Sequence, residues 1–422
     1  PGGSARNLEL PVQGAFSARG ELALYRHCIT PRFDGLTLGE MVLDGRAITV
    51  CPQSGGAIVR NGAGGLRVAL GVPALALTGR LGETPLSIQS GPVGFAWPGT
   101  VTARALDVAL GPPEEATRFH LADLTARAGK DFAGTFGGVD ARLAAVPMDL
   151  TNAAGAWRYA DGTLTLSGAR FDLTDRLRPT RFERMVARDA TLTLHDNRID
   201  ADAVLREPKS DRSVTRAVIR HDLSDSSGHA DLLVDGLRFD KAMQPDALTR
   251  MALGVIANVE GTVTGKGRID WNARGVTSSG RFSSTGLDLA AAFGPARGLA
   301  GTVEFTDLLN MVTAPNQTLR VAAINPGIEV NDGVVVFAME PGQVLKLHSA
   351  TWPFLGGKLS LEPTVMRVGV AETRRYTLVI EGLDAAKFLE RMELGNLAAT
   401  GTFDGRMPLV FDDNGGRIEA GN

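Results

Sequence analysis

From Thr163 onward, apolar and polar residues alternate with a period of two. "GTLTLSGARFDLTD" sets Leu164 and Leu166 on one side and Thr163, Thr165 and Ser167 on the other. "ATLTLHDNRIDADAVL" repeats the pattern with Leu192 and Leu194, then Ile199, Ala201 and Ala203. Successive side chains of a strand point to opposite faces, so each stretch describes a strand with one greasy and one polar side. "DLLVDGLRFD", "EGTVTGKGRIDW", "GTVEFTDLL", "GKLSLEP" and "RRYTLVIEG" continue the series, separated by Gly, Asp, Asn and Pro turn residues. "INPGIEVNDGVVVF", residues 324–337, reads as one more hairpin, with short apolar runs on either side of Asn331-Asp332-Gly333.

At one strand per roughly 10 to 15 residues the chain holds about 30 strands, too many for one closed barrel of ordinary size. No motif recurs faithfully enough to define a solenoid coil or propeller blade. The expected fold is mainly β: a long, twisted, mostly antiparallel sheet curled into an elongated groove, with a few short amphipathic helices. One helix is expected near 246–258, where Leu248, Met251, Ala252 and Val255 share a face after Pro245 and Asp246. Another is expected over 385–394, capped by Asp384, with Ala385, Phe388, Leu389 and Met392 on one face and Gly395 ending it. Residues 1–150 alternate less clearly and read as an N-proximal β segment, with 151–422 as the main groove region.

Composition agrees with frequent turning: 51 Gly and 21 Pro in 422 residues, and aromatics at only 6%. A net charge of −3 provides no electrostatic footprint for a polyanion, which argues against a nucleic-acid partner. No stretch approaches 18 consecutive apolar residues, and "PGGSARNLEL" has neither the basic nor the apolar part of a secretion signal. The ending "GRMPLVFDDNGGRIEAGN" reads as a strand, a turn and the start of a return strand, as expected of a piece of a longer protein. Cys28 and Cys51 sit in neighbouring strand-like runs, either as a cross-strand disulfide suited to an oxidising compartment or as two buried thiols.

Catalytic chemistry is hard to assemble. The six His are scattered, with no HExxH and no CxxC, so neither a metal nor another cofactor is expected. "GTVTGKGRID" lacks the third Gly and the following helix of a dinucleotide loop, and no GxSxG elbow occurs. The carboxylate pairs Asp200/Asp202 and Asp172/Asp175 read as solvated strand faces, and an enzyme is not expected. The apolar face is the informative one: two short helices cannot cover it, so the sheet either folds on itself or leaves a lined trough, and such a trough marks a ligand site. Candidate lining residues are Leu164, Leu166, Leu192, Leu194, Val263, Ile269, Trp271, Val303, Phe305, Val334, Val336, Leu359, Leu361, Leu378, Ile380, Leu409 and Phe411.

Residues 298–363, "GLAGTVEFTDLLNMVTAPNQTLRVAAINPGIEVNDGVVVFAMEPGQVLKLHSATWPFLGGKLSLEP", with "LDAAKFLERMELGNLAATGTFDGRMPLVFDDNGGRIEAG" after them, resemble the C-terminal region of the YdbH-like proteins. "AWRYADGTLTLSGARFDLTD" extends the resemblance back to about residue 150. These proteins belong to the AsmA-like superfamily of Gram-negative envelope proteins. The resemblance implies a periplasmic, chorein-like β-groove that carries lipid, acyl chains inside, from the inner to the outer membrane. It also implies an inner-membrane anchor outside this sequence and a protein partner of the outer membrane or periplasm at the C-terminal end. The family's dicarboxylate-transport label finds no compact basic pocket here. The competing expectation is a tether with a closed, dry β core.

Overall fold

The computed structural model describes residues 3–419 apart from 54, 130, 145, 254–255, 292–293, 326–328, 369–372, 394–395 and 413–414. Its 32 strands join in a single antiparallel sheet that does not close into a barrel. From Gly99–Leu110 onward most strands pair with the strand before and the strand after, so the sheet is largely a meander. Residue 150 falls inside the strand Met148–Ala160, which pairs on both sides, and the sheet runs through it without a break.

A line of bulges curls the sheet. Register slips between Phe136 and Val139, between Thr151 and Ala154, and between Leu166 and Ala169 on successive strands. The same slip recurs between Val234 and Leu237, between Gly261 and Thr264, and between Ser284 and Leu287. An extra residue on one strand of an antiparallel pair bends that strand, and here the bends fall side by side in two groups, over residues 132–195 and over residues 227–307, creasing the sheet in each. Gly138 (φ 57°), Asn152 (φ 55°) and Gly168 (φ 56°) supply left-handed conformations along the first crease that few other residue types accept.

At its N-terminal end the sheet forks. The first half of Gly99–Leu110 pairs with Val93–Trp97, which leads to Gly65–Val72 and Val59–Gly62. The second half pairs with Thr84–Ser90, which leads through Leu75–Leu81 and Met41–Ala47 to Arg32–Leu38. Cys28 and Cys51 are joined by a disulfide (Cα–Cα 4.0 Å) where the chain crosses between the two arms, beside the bridge between Ile29 and Val50.

Three local expectations are corrected. The segment near 246–258 forms two 3₁₀ turns, Pro245–Ala247 and Arg250–Ala252, followed by a strand from Ile256; Val255 lies outside the described residues. Extended Thr249 interrupts the helix because its hydroxyl donates to the Arg181 carbonyl (2.7 Å) and accepts from Met251 N. The helix Ala385–Arg391 does form, with the Asp384 carboxylate accepting from the N–H groups of Ala386 and Lys387, and ends well before Gly395, which is outside the described residues. Asn331-Asp332-Gly333 is not the hairpin turn but part of the strand Val330–Glu340, with Asp332 at φ 60°; Val330 already pairs with Ile324 of the preceding strand.

Candidate functional site

Residues paired across neighbouring strands project from the same face, so the strand register defines rows that run along the sheet. One row runs Leu70, Phe95, Val101, Ala126, Gly134, Trp157, Leu166, Leu192, Ala201, Ile219, Ala230, Ile269, and ends at Ser278. No charged residue interrupts it. Twelve inter-strand steps of roughly 4.8 Å make it about 58 Å long. Beside it runs a second row: Phe132, Tyr159, Leu164, Leu194, Ile199, His221, Gly228 and Trp271. Gly228 is needed there, because a Cβ would stand 2.6 Å from the Trp271 ring. The indole N–H of Trp271 instead donates to His221 Nδ1 at 3.1 Å. Burial pushes the His221 imidazole below its ordinary pKa, so the one imidazole in this row stays neutral near pH 7.

The opposite face carries Thr165, Thr193, Asp200, Arg220, His229 and Asp270 in one row, laced by ion pairs such as Arg220 with Asp200 (3.5 Å) and Arg268 with Asp231 (2.9 Å). Asp202 is held by Arg216 and Asp172 by Arg184 (3.0 Å). Asp175 departs from the solvated reading: its side chain is fully buried and makes paired bonds to Arg181 of 2.9 and 3.0 Å. Burial alone would raise its pKa, but the Arg181 guanidinium and the N–H groups of Arg181 and Leu177 outweigh that and hold it below the ordinary value.

The apolar face is open over much of its length. Leu164, Leu166, Leu192, Leu194, Trp271, Val303 and Phe305 are only partly covered, whereas Ile269 is buried. The whole chain exposes 23556 Å². A compact protein of 44.5 kDa would expose roughly 15,600 Å² by the usual size scaling. A sheet folded flat on itself would approach the smaller figure.

Toward the C-terminus the face is packed. Leu359, Leu361, Leu378 and Leu409 are buried in one cluster with Val321, Trp352 and Tyr376, and Ile380 packs against it. Trp352 lies over Gly333, where a Cβ would stand 1.9 Å from its Nε1. Val263 packs with Phe239, Met243 and Val259 beneath the 3₁₀ turns. The side chain of Phe411 lies outside the described residues. Val334 and Val336 are corrected: they pair with Arg320 and Thr351, and with Thr318 and Ser349, on the polar face. Val335 is the residue that faces the core. In a continuous apolar run such as Val334-Val335-Val336 a period of two has no readable phase. Trp157 and Tyr159 belong to the rows although they are absent from the predicted lining. Continuing the phase of Leu164 and Leu166 back through the turn at Asp161-Gly162 identifies them.

A long creased sheet with one continuous, half-open apolar face is the architecture of a trough for hydrophobic ligands. The family follows from comparison: the chain belongs to the YdbH-like family, described as intermembrane phospholipid transport protein YdbH, whose model matches residues 2–422. This is a family of lipid transporters rather than of enzymes, and intermembrane transport is work of the cell envelope. No curated protein and no solved structure matches the chain significantly. No helix among the described residues is long and apolar enough to cross a membrane.

Proposed function

We propose that the chain is part of a periplasmic bridge that carries phospholipid between the inner and outer membranes. Acyl chains lie along the row from Phe95 to Ile269 and headgroups stay at the open slit. The carrying observation is the length of that row. At about 48 Å it exceeds about threefold the roughly 15 Å half-thickness of a bilayer core, which suits passage of many lipids better than custody of one. Continuity matters energetically. Two acyl tails with about 30 methylenes lose roughly 24 kcal/mol of burial on leaving a membrane, and only an unbroken apolar path returns it at each step. An inner-membrane anchor and a protein partner at the C-terminal end complete the bridge.

The packed cluster around Trp352 favours the tether as a second reading for that end of the sheet. Native mass spectrometry with lipid extraction separates the two. Several phospholipids per chain support the bridge. A bare protein that also fails to take up a fluorescent phospholipid supports the tether.

A further inference from the structure

The second arm of the fork has a destination. From its pairing with Asp107–Leu110 on one side of the trough it crosses to the opposite rim, where its turns meet the hairpin turns at 196–197 and 223–226. The Thr84 hydroxyl donates to the Leu223 carbonyl (2.9 Å) and lies 3.4 Å from the Ser226 hydroxyl; Thr84 and Leu223 are both buried. The Asn197 amide donates to Glu40 (3.1 Å). Gly82 sits so close that a Cβ would stand 2.7 Å from Asn197 Oδ1. A Cβ at Gly39 would lie 3.5 Å from the hydroxyl of Tyr159, which belongs to the apolar row of Leu164 and Leu194. The arm therefore passes over the apolar side of the sheet. Its own core of Leu43, Leu77 and Leu86 packs within the arm and against Val108 and Leu110 at the fork.

On the conduit reading above, we infer that this arm, Arg32–Leu38 to Thr84–Ser90, is a side gate that roofs the trough and releases at the Thr84 and Glu40 clasp. A roof joined along one edge by strand pairing and along the other by a few polar contacts opens at the polar edge, because hydrogen bonds lost there are replaced by water. Opening exposes Tyr159, Leu164 and Leu194 to a lipid entering from the side.

The test locks the clasp. Thr84→Cys with Ser226→Cys, oxidised in the full chain and confirmed by peptide mass, is compared with wild type and with Ser226→Cys alone. The readout is the rate of uptake of a fluorescent phosphatidylethanolamine from vesicles of phosphatidylethanolamine and phosphatidylglycerol. The bridged protein takes up lipid at least tenfold more slowly than wild type, and the unlocking pair Glu40→Ala with Thr84→Ala takes it up several-fold faster. Equal rates for bridged and wild-type protein overturn the gate and leave the conduit standing. Uptake by none of them removes the conduit reading, and the gate with it.

Discussion

Leu192 and Leu378 have the same side chain and the same strand periodicity, yet a charge at each should do different things. Leu192 is only partly buried in the row between Leu166 and Ala201, whereas Leu378 is 5% exposed in the C-terminal cluster. In Leu192→Asp the carboxylate stays hydrated in the lipid-free trough, so the loss of stability should stay within about 1 kcal/mol. An acyl chain moving past it must share an apolar path with a charge, and a charge in hydrocarbon costs about 2.5 to 3.5 kcal/mol, a factor of about 70 to 400 in passage rate. In Leu378→Asp the packed site loses its methyl groups and holds a carboxylate, and the stability loss should exceed about 4 kcal/mol. Denaturant unfolding and vesicle-to-vesicle transfer of a fluorescent phospholipid read the two quantities separately. The reasoning is refuted if Leu192→Asp unfolds as readily as Leu378→Asp, which would make its site a closed core, or if it transfers lipid at the wild-type rate.

Reducing the bond between Cys28 and Cys51, 23 residues apart in sequence, should lower stability by about 3.4 kcal/mol through loop entropy, read as a lower urea midpoint with reductant than without. Because burial lowers the His221 pKa below its ordinary 6.5, the folded protein binds fewer protons than the unfolded chain; stability should fall as pH drops below 6.5 and be flat above it, and His221→Gln should remove that slope in thermal melts. Asp175→Asn should cost about 3 to 5 kcal/mol by leaving Arg181 without its buried partner. In the wild type the Asp175 contribution is present above pH 3.8 and is lost as the pH falls through the lowered pKa, so acid titration of the variant should lack that component.

The alternation of Leu164, Leu166, Leu192 and Leu194 was enough to predict strands and their greasy side, because a strand's two faces are written at every second residue. The Asp384 cap was equally local, a carboxylate two and three residues ahead of the N–H groups it accepts from. The predicted helix over 246–258 failed because a contact distant in sequence, Thr249 to Arg181, outweighed the local periodicity. Val334 and Val336 failed because an unbroken apolar run carries no phase, and only pairing with Arg320 and Thr351 fixed it.

The sequence by itself determined that this chain is a long run of one-sided strands with an apolar surface larger than its few helices can cover. Which stretches of that surface stay open, as at Leu192, and which close on themselves, as at Leu378, was decided only in the tertiary structure. So were the crease that makes a sheet into a trough and the arm that crosses it. The physical reason is that bulge alignment, strand register and the meeting of Thr84 with Leu223 depend on which residues become neighbours across the fold.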